Sequence, residues 1–185
     1  GGAIGLKSCA GARLPDFGDA EGRYTCSERN GIMGSEIIVR VLEPRDFAEL
    51  VRIDAHSFGR PRPEYFKLKL KNTLEDTSVR VGLAAEVDGT MVGFLMGSMY
   101  FGDYGQAEPV ATLESISVLP DFARKGVGSA LWRQFTMNLK ALRIDKVQTL
   151  VDWSSFDLLA FMRHLGFRPA PRLCLEQQLN FETDD

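Results

Sequence analysis

The sequence predicts an α/β protein in which strands and helices alternate within one globular domain. The chain has 185 residues, 44% of them hydrophobic, which suits a single domain with a sizeable core. Asp88-Gly89 is a strong two-residue hairpin signal, and apolar residues after Gly128 recur on one face of a helix. Runs of β-branched and apolar residues typical of strands occur at 36–42, 79–87, 91–101 and 110–119.

The first 34 residues differ from the rest of the chain. Residues 1–34 are rich in Gly, Ala and Ser, without a helical or strand period and without the apolar core of a signal peptide. We expect a flexible extension, which is either a remnant of a removed tag or a segment upstream of a natural start at Met33. The alternative is an arm that packs on a partner subunit. The folded domain is expected at 35–180, with a tail at 181–185.

The domain is expected to begin with a strand and two helices. The β-branched segment 36–42 predicts the strand. Pro44 suits the first turn of a helix that continues to about Phe58. The Gly- and Pro-rich segment 59–63 ends that helix, and a second helix is expected over 63–74.

A hairpin and a third strand follow. We expect 79–87 and 91–101 to be the hairpin strands, joined at Asp88-Gly89. Gly93 and Gly97 within the second strand indicate bulges or a close approach of another element. The segment 110–119 is then expected to form the strand that leads into a glycine turn.

The last third of the chain predicts a helix, a strand, a helix and a strand. We expect strands at 146–151 and 173–179, and a helix at 154–165 that Gly166 ends. Cys174 is expected as a small apolar core residue of the last strand. The helix after the glycine turn is expected to bury one face, made of Val127, Leu131, Phe135, Leu139 and Leu142.

The glycine turn predicts an anion site. Pro120 ends the strand, and Gly126 and Gly128 allow a sharp turn and a close approach of the backbone to a ligand. The helix that follows leaves its first N–H groups unpaired at the positive end of its dipole. Arg124 and Lys125 add full positive charge beside it. This combination favours binding of a phosphate.

Two common phosphate-binding motifs do not fit this turn. The P-loop pattern Gly-x-x-x-x-Gly-Lys-Ser/Thr is absent, and Leu131 stands where the dinucleotide fingerprint requires its third Gly. The longer segment 113–131, LESISVLPDFARKGVGSAL, closely resembles the acetyl-CoA-binding segment of the GNAT (GCN5-related N-acetyltransferase) superfamily. The family pattern is Arg/Gln-x-x-Gly-x-Gly/Ala. Here Ala123 takes the first position and the basic residue follows at Arg124.

The resemblance implies a fold and a co-substrate. The fold is that of the GNAT acyl-CoA N-acyltransferases, a central mixed, mostly antiparallel sheet flanked by helices, from about Glu36 to Asn180. The strand before the turn is expected to bulge near Ser117 and to diverge from the strand at 146–151. The co-substrate is acetyl-CoA, and its expected binding residues are Ile116, Val118, Arg124, Lys125, Gly126, Val127, Gly128, Ser129 and Ser155.

Acetyl transfer to an amine needs a proton acceptor, because an alkylammonium has no lone pair. Glu114 is the candidate, since it lies on the strand that feeds the glycine turn among apolar neighbours, where burial would raise its pKa. The resemblance implies that this residue acts as the general base, commonly through water. The alternative is a Glu on the polar face of the strand, or one paired with a nearby Arg.

The leaving thiolate needs a different group. Where the family often has a Tyr as the general acid, this chain has Met162, which cannot donate a proton. Tyr104 is our candidate acid; Tyr100, Asp152 and His164 are the other candidates. Trp132 and Trp153 are expected to pack rather than to bind a ligand. The Cys residues lack an evident His partner, so we expect direct transfer without an acyl-enzyme.

Composition excludes several other classes. The net charge of −3 and pI of about 5.5 disfavour a nucleic-acid binder. Three irregularly spaced Cys form neither a disulfide framework nor a zinc pattern, which favours a reducing cytoplasm. The chain has only two His residues, so we do not expect a metal site. The longest apolar run is far shorter than the roughly 20 residues that span a bilayer.

The leading hypothesis is a cytoplasmic N-acetyltransferase that moves the acetyl group of acetyl-CoA to a primary amine of a small molecule or protein. Arg60, Arg62 and the lysines of the second helix are either a solvated face or a positive rim that steers an acidic substrate or the CoA phosphates. One alternative is a catalytically weak acyl-CoA sensor. Another is a nucleotide-binding module of a different α/β fold. In the family that this chain resembles, edge strands of two subunits often pair with each other. The resemblance therefore implies a possible homodimer.

Overall fold

The protein is described by a computed structural model that covers residues 36–76, 80–100 and 108–178, together with the backbone of 23–26. The chain divides into two compact units, Gly1–Leu150 and Val151–Asp185. The first unit contains the sheet and three α-helices. The second contains one α-helix, α4 (Phe156–His164).

The sheet of the first unit has six strands. Its spatial order follows the sequence, and its first four pairings are antiparallel while the last is parallel. The predicted mixed, mostly antiparallel sheet flanked by helices is therefore confirmed. The strands are β1 (Arg23–Cys26), β2 (Ile37–Val41), β3 (Arg80–Val87), β4 (Thr90–Tyr100), β5 (Val110–Val118) and β6 (Val147–Gln148).

β1 lies within the segment that was expected to be a flexible extension. It pairs along its whole length with β2, from Arg23 opposite Arg40 to Cys26 opposite Ile37. The sequence RYTC is too short to show a strand period, so the pairing was not predictable from periodicity. The remainder of 1–34 lies outside the described residues, and the extension stays a prediction.

Helices cover both faces of the sheet. A 3₁₀ turn at Pro44–Asp46 leads into α1 (Phe47–Phe58), and Gly59, with φ +80°, ends it. α2 (Pro63–Glu75) lies on the same face of the sheet as α1, where its Phe66 ring meets that of Phe94 in β4 at 5.6 Å. α3 (Val127–Ala141) covers the other face.

Gly97 in β4 allows α3 to pack closely on the sheet. A Cβ at this position would lie 2.7 Å and 2.8 Å from two ring atoms of Phe135 and 2.9 Å from the carbonyl oxygen of Thr112. Phe135 is fully buried, so its ring has little room to move. The sequence-based expectation of a close approach at Gly97 is confirmed.

We expect Gly97→Ala to destabilise the protein by about 1–3 kcal/mol through overpacking. Urea denaturation measures the loss. The same substitution in a Phe135→Leu background should cost less, because the smaller side chain leaves space for the new methyl group. Equal costs in both backgrounds would show that the ring of Phe135 is not what Gly97 accommodates.

A buried ion-pair network fixes the entry into α1. The Arg40 guanidinium donates hydrogen bonds of 2.7 Å and 2.8 Å to the two carboxylate oxygens of Asp46 and one of 2.8 Å to Glu86. The backbone N–H of Glu43 also donates to Asp46 at 2.8 Å. Burial acts to raise the pKa of Asp46, but these bonds outweigh it and hold the pKa below its usual value.

Three expectations for the C-terminal part of the chain are wrong or too long. β6 contains only two of the residues expected at 146–151. No strand is present in the described part of 173–179, where Cys174 is exposed instead of lying in a core. An alternating apolar pattern forms a strand only where a neighbouring strand pairs with it, and the sequence does not show that pairing.

Two apolar side chains are more exposed than expected. Leu142 follows the last residue of α3 in the cap position and is 54% exposed, so it does not continue the buried face of that helix. Trp153 was expected to pack against other side chains, but it is 86% exposed. Trp132 is half-buried, with its ring 5.9 Å from that of Phe135, as a packing residue should be.

Candidate active site

The glycine turn has the geometry of an anion-binding helix start. A 3₁₀ turn at Pro120–Phe122 follows β5, and Arg124 (φ +58°) and Gly126 (φ +89°) both adopt the left-handed region. Gly126 is the N-cap of α3 and offers no side-chain cap. The first N–H groups of α3 therefore remain free to donate to a ligand.

Positive charge flanks this helix start. Arg124 is exposed, and Lys125 is half-buried with its Nζ 5.5 Å from the centre of the Phe122 ring. Gly128 and Ser129 lie in the first turn of α3 and are half-buried, while Val127 packs into the core. An uncapped helix N-terminus with two adjacent cations suits a diphosphate group.

β5 diverges from β6, as expected. The two strands pair only at Ala111 and Thr112, although β5 continues to Val118. The N–H of Leu119 donates to β4, so alternation along an antiparallel strand directs the N–H groups of Ile116 and Val118 to the opposite edge. That edge is the one from which β6 has separated. These two N–H groups are therefore placed to meet a ligand lying along β5.

The bulge in β5 lies at Glu114, not near Ser117 as expected. Ser115 pairs with Met96 and Leu113 pairs with Gly97, so Glu114 is the extra residue between two consecutive pairs. In a regular strand Glu114 and Ser115 would point to opposite faces. The bulge instead brings both side chains to the face covered by α1 and α2.

Glu114 is anchored by three neighbours. Ser98 donates a hydrogen bond to its Oε1, Lys69 Nζ lies 2.9 Å from its Oε2, and Arg80 lies 3.7 Å from its Oε1. Its side chain is 17% exposed. Glu114 is therefore an ion-paired carboxylate, with Lys69 as its closest cationic partner.

The expected rise in the pKa of Glu114 is wrong. Burial does act to raise this pKa, but the hydrogen bonds from Ser98 and Lys69 and the charges of Lys69 and Arg80 outweigh it. The net effect lowers the pKa of Glu114 below its usual value. The carboxyl group is therefore ionised throughout the neutral pH range.

Lys69 differs from the other lysines of α2. Its side chain is 11% exposed, and its Nζ donates to the hydroxyl of Tyr65 at 2.8 Å and to Ser115 Oγ at 3.3 Å. Lys67 and Lys71 are exposed, as a solvated face would be. No sequence pattern separates Lys69 from these two lysines, because its partners Ser115 and Glu114 lie in β5.

The corner between α1 and α2 holds a second ion pair. Arg62 donates hydrogen bonds of 2.9 Å and 2.7 Å to the buried carboxylate of Asp54. The guanidinium also lies 3.8 Å from the centre of the Phe58 ring and 4.6 Å from that of Tyr65. Arg62 is therefore paired and half-buried, which does not fit the solvated face that was one of its two expected roles, whereas Arg60 is exposed.

A hydroxyl pair completes the face of β5 toward α1. The Oγ atoms of Ser57 and Ser117 are 2.5 Å apart. Ser117 is buried, and it lies between Ile116 and Val118 on the strand. This contact ties the end of α1 to the segment of β5 whose N–H groups face the open edge.

The second unit contains the remaining candidates. Ser155 is the half-buried N-cap of α4, and Met162 is buried. His164 is exposed at the end of α4. Gly166 has φ +92°, which suits its expected place just after the helix.

The described candidates for the general acid are exposed side chains. Tyr104 lies outside the described residues, and Tyr100 is exposed. Asp152 accepts hydrogen bonds from the N–H and Oγ of Ser154, and these lower its pKa, so it is a poor proton donor. Tyr104 stays the prediction.

The described residues include neither a metal-binding cluster nor a membrane-spanning helix. Within 36–76, 80–100 and 108–178, no group of three or more His, Cys, Asp or Glu side chains could hold a metal ion. In the same part of the chain, the longest helices fall short of the length and apolar character that a membrane crossing requires.

Comparison with known families identifies the class of protein. Residues 47–167 match the model of the family described as acetyltransferase (GNAT) family. The chain belongs to this family, and the resemblance found in 113–131 is confirmed. A search of curated protein sequences gives no match.

Solved structures share the fold at low sequence identity. An aminoglycoside N-acetyltransferase AAC(6′)-Iy in complex with CoA has a TM-score of 0.68 and 18% identity, over 78% of this chain and 96% of that one. A ribosomal-protein-alanine N-acetyltransferase from Brucella melitensis has a TM-score of 0.62 and 20% identity, over 77% of this chain and 99% of that one. A transcriptional regulator from Bacillus halodurans C-125 has a TM-score of 0.67 and 21% identity, over 77% of this chain and 99% of that one. Identities this low establish a common fold and leave the substrate of this chain open.

Proposed function

We propose that this protein is an acetyl-CoA-dependent N-acetyltransferase that acts on a primary amine of a small molecule or protein. The observation that carries the proposal is the arrangement along β5. One strand provides the anchored carboxylate of Glu114, the N–H groups of Ile116 and Val118, and the lead into the uncapped start of α3. The proposed phosphate site and the proposed reaction site are thus linked through β5 and the turn that follows it.

Acetyl-CoA would supply the acetyl group as a thioester. The N–H groups at Gly126–Ser129, with Arg124 and Lys125, would hold its diphosphate, and Ser155 is proposed to contact its pantetheine. The N–H groups of Ile116 and Val118 would donate to the pantetheine and to the thioester oxygen as negative charge develops there.

Glu114 is proposed to receive the proton of the acceptor ammonium, through a water molecule. Its lowered pKa makes it a weak base, but Ser98 and Lys69 hold it ionised and in one position. The amine nitrogen then attacks the thioester carbon and releases its second proton to water, the carbon–sulfur bond breaks, and the sulfur leaves with the electron pair. Tyr104 is the proposed donor of a proton to that sulfur.

The acceptor, compartment and assembly also belong to this proposal. Similar structures include acetyltransferases named for aminoglycosides and for a ribosomal-protein alanine, so amines of small molecules and of proteins are both plausible acceptors by fold alone. The acidic composition and the Cys pattern favour a cytoplasmic protein without a nucleic-acid partner, and pairing of edge strands favours a homodimer.

A second candidate function is a catalytically weak acyl-CoA sensor. Two observations favour it: Met162 replaces the usual proton donor, and the lowered pKa of Glu114 weakens the proposed base. Both changes affect proton transfer and leave the proposed CoA contacts in place.

Release of free thiol from acetyl-CoA in the presence of a library of primary amines tests these candidates. We expect at least one amine to give thiol release well above the rate without amine, together with an N-acetylated product in the mass spectrum. Tight acetyl-CoA binding without turnover of any amine would support the sensor. Thermal stabilisation by ATP or NAD, but not by acetyl-CoA, would contradict both.

A further inference from the structure

Charged and aromatic side chains form a continuous row between the α1–α2 corner and the candidate base. Asp54 binds Arg62, whose guanidinium lies over the ring of Tyr65. The hydroxyl of Tyr65 accepts a hydrogen bond from Lys69, and Lys69 pairs with Glu114. The row ends at Arg80, on the far side of Glu114. Glu114, the proposed base, is therefore a member of a row that runs from the α1–α2 corner to β3.

Most charges in this row are already paired. The two carboxylate oxygens of Asp54 receive hydrogen bonds from the two nitrogen atoms that Arg62 directs at them. Lys69 has acceptors for all three of its N–H groups in Tyr65, Ser115 and Glu114. The charge of Arg62 is thus compensated by Asp54, and that of Lys69 by Glu114.

Arg80 is the exception. Among the described residues its ion pair is the 3.7 Å approach to Glu114, which is longer than a charge-assisted hydrogen bond. Since Lys69 already neutralises Glu114 at 2.9 Å, the charge of Arg80 stays largely uncompensated. Its side chain is 26% exposed, so its planar fork of donors can reach a ligand.

We propose that Arg80 binds a carboxylate of the acceptor, so that the preferred acceptor is a small amine bearing a carboxylate, of the amino-acid type. This inference rests on the proposed function. A guanidinium matches a carboxylate with two parallel hydrogen bonds. A row with three cations and two carboxylates favours one added negative charge and disfavours a polycationic amine.

Exposed aromatic rings favour an apolar body for this acceptor. Phe58 and Tyr65 stand at the α1–α2 corner and are half exposed, although each is large and apolar. Arg62 lies between them and is fixed by Asp54, so the two rings are held in position. An amine with an apolar side chain could rest against these rings while its carboxylate meets Arg80.

Matched pairs of acceptors test the inference. Phenylalanine and phenylalaninamide differ in the carboxylate and share the ring and the amine, and kanamycin represents a polycation. We expect kcat/KM for phenylalanine to exceed that for phenylalaninamide by about tenfold or more. Turnover of the amide or of kanamycin at a higher kcat/KM than phenylalanine would overturn the inference while leaving the acetyltransferase function intact.

Variants of Arg80 show which residue causes the preference. Arg80→Gln should raise KM for phenylalanine about tenfold relative to KM for phenylalaninamide, whereas any change that it causes at Glu114 should alter kcat for both acceptors alike. Arg80→Lys should restore part of the preference, and Arg52→Gln, at an exposed position on α1, is the control. The ratio of the two acceptors within one variant cancels any general loss of folding. An unchanged ratio in Arg80→Gln would contradict the role of Arg80.

A binding measurement separates this inference from the proposed function. N-acetylphenylalanine, the product expected from phenylalanine, is titrated in the presence of CoA into the wild type and Arg80→Gln by calorimetry. Binding to the wild type that Arg80→Gln weakens about tenfold supports the carboxylate site, even if every amine fails as a substrate. Equal binding to both proteins, or none to either, overturns it.

Discussion

Glu114→Gln is expected to lower kcat for amine acetylation by about 100-fold or more. The amide cannot accept the proton of the ammonium, although it keeps the shape of the carboxylate and can still accept hydrogen bonds from Ser98 and Lys69. Steady-state kinetics with the best amine of the library measure the loss. Affinity for acetyl-CoA should stay the same, because Glu114 does not belong to the proposed phosphate site.

The pH dependence of this loss follows from the direction of the pKa shift. The pKa of Glu114 is lowered, so the carboxylate stays ionised from the acid range upward. Its contribution to stability is likewise present above its unfolded pKa and is lost as pH falls through the lower folded value. We therefore expect the same fold loss in kcat at every pH from about 6 to 9.

Two further variants check the cause. Lys69→Met removes the hydrogen bond and charge that hold Glu114 ionised, while burial remains, so the pKa of Glu114 should rise and kcat should fall as pH drops toward 6. Glu49→Gln, at an exposed position on α1, should have wild-type kinetics. A wild-type rate in Glu114→Gln would assign the proton transfer to another group.

Gly126→Asp is expected to weaken acetyl-CoA binding by about 100-fold or more, because a carboxylate would lie within a few ångströms of the diphosphate. The new side chain would also offer its oxygen as a cap for the first N–H groups of α3, which the ligand needs. Isothermal titration calorimetry with acetyl-CoA measures the change.

Gly89→Asp is the matched control for this substitution. Gly89 has φ +74°, close to the φ +89° of Gly126, and a Cβ there meets no other atom within 4 Å. Both variants therefore add the same charge in a similarly unfavourable backbone conformation, but Gly89 lies in the β3–β4 hairpin. If both variants bound acetyl-CoA as tightly as the wild type, the phosphate site at α3 would be rejected.

The elements that the sequence predicted correctly are those with a strong local signal. Asp88-Gly89 predicted the β3–β4 hairpin, and both residues have positive φ there. The apolar spacing from Val127 to Leu139 predicted the buried face of α3. These features depend on backbone preferences and periodicity, which a single sequence contains.

The features that were missed depend on contacts between distant segments. The position of the bulge at Glu114 follows from the register between β4 and β5, which no local pattern shows. The pKa of Glu114 depends on Lys69, which precedes it by 45 positions in the sequence. The sequence alone did not distinguish Lys69 from the other lysines of α2. The apolar neighbours of Glu114 in the sequence suggested that burial would raise its pKa. The ion pair that lowers this pKa instead comes from Lys69 in α2.

An amide NMR titration with acetyl-CoA tests the central claim most directly, namely that one strand connects a phosphate site to a reaction site. We predict that the signals of Lys125–Ser129 shift together with those of Ile116 and Val118, and that Gly126→Asp abolishes both sets of shifts. Saturable binding of acetyl-CoA that leaves these signals unmoved, with shifts elsewhere in the chain, would contradict the account.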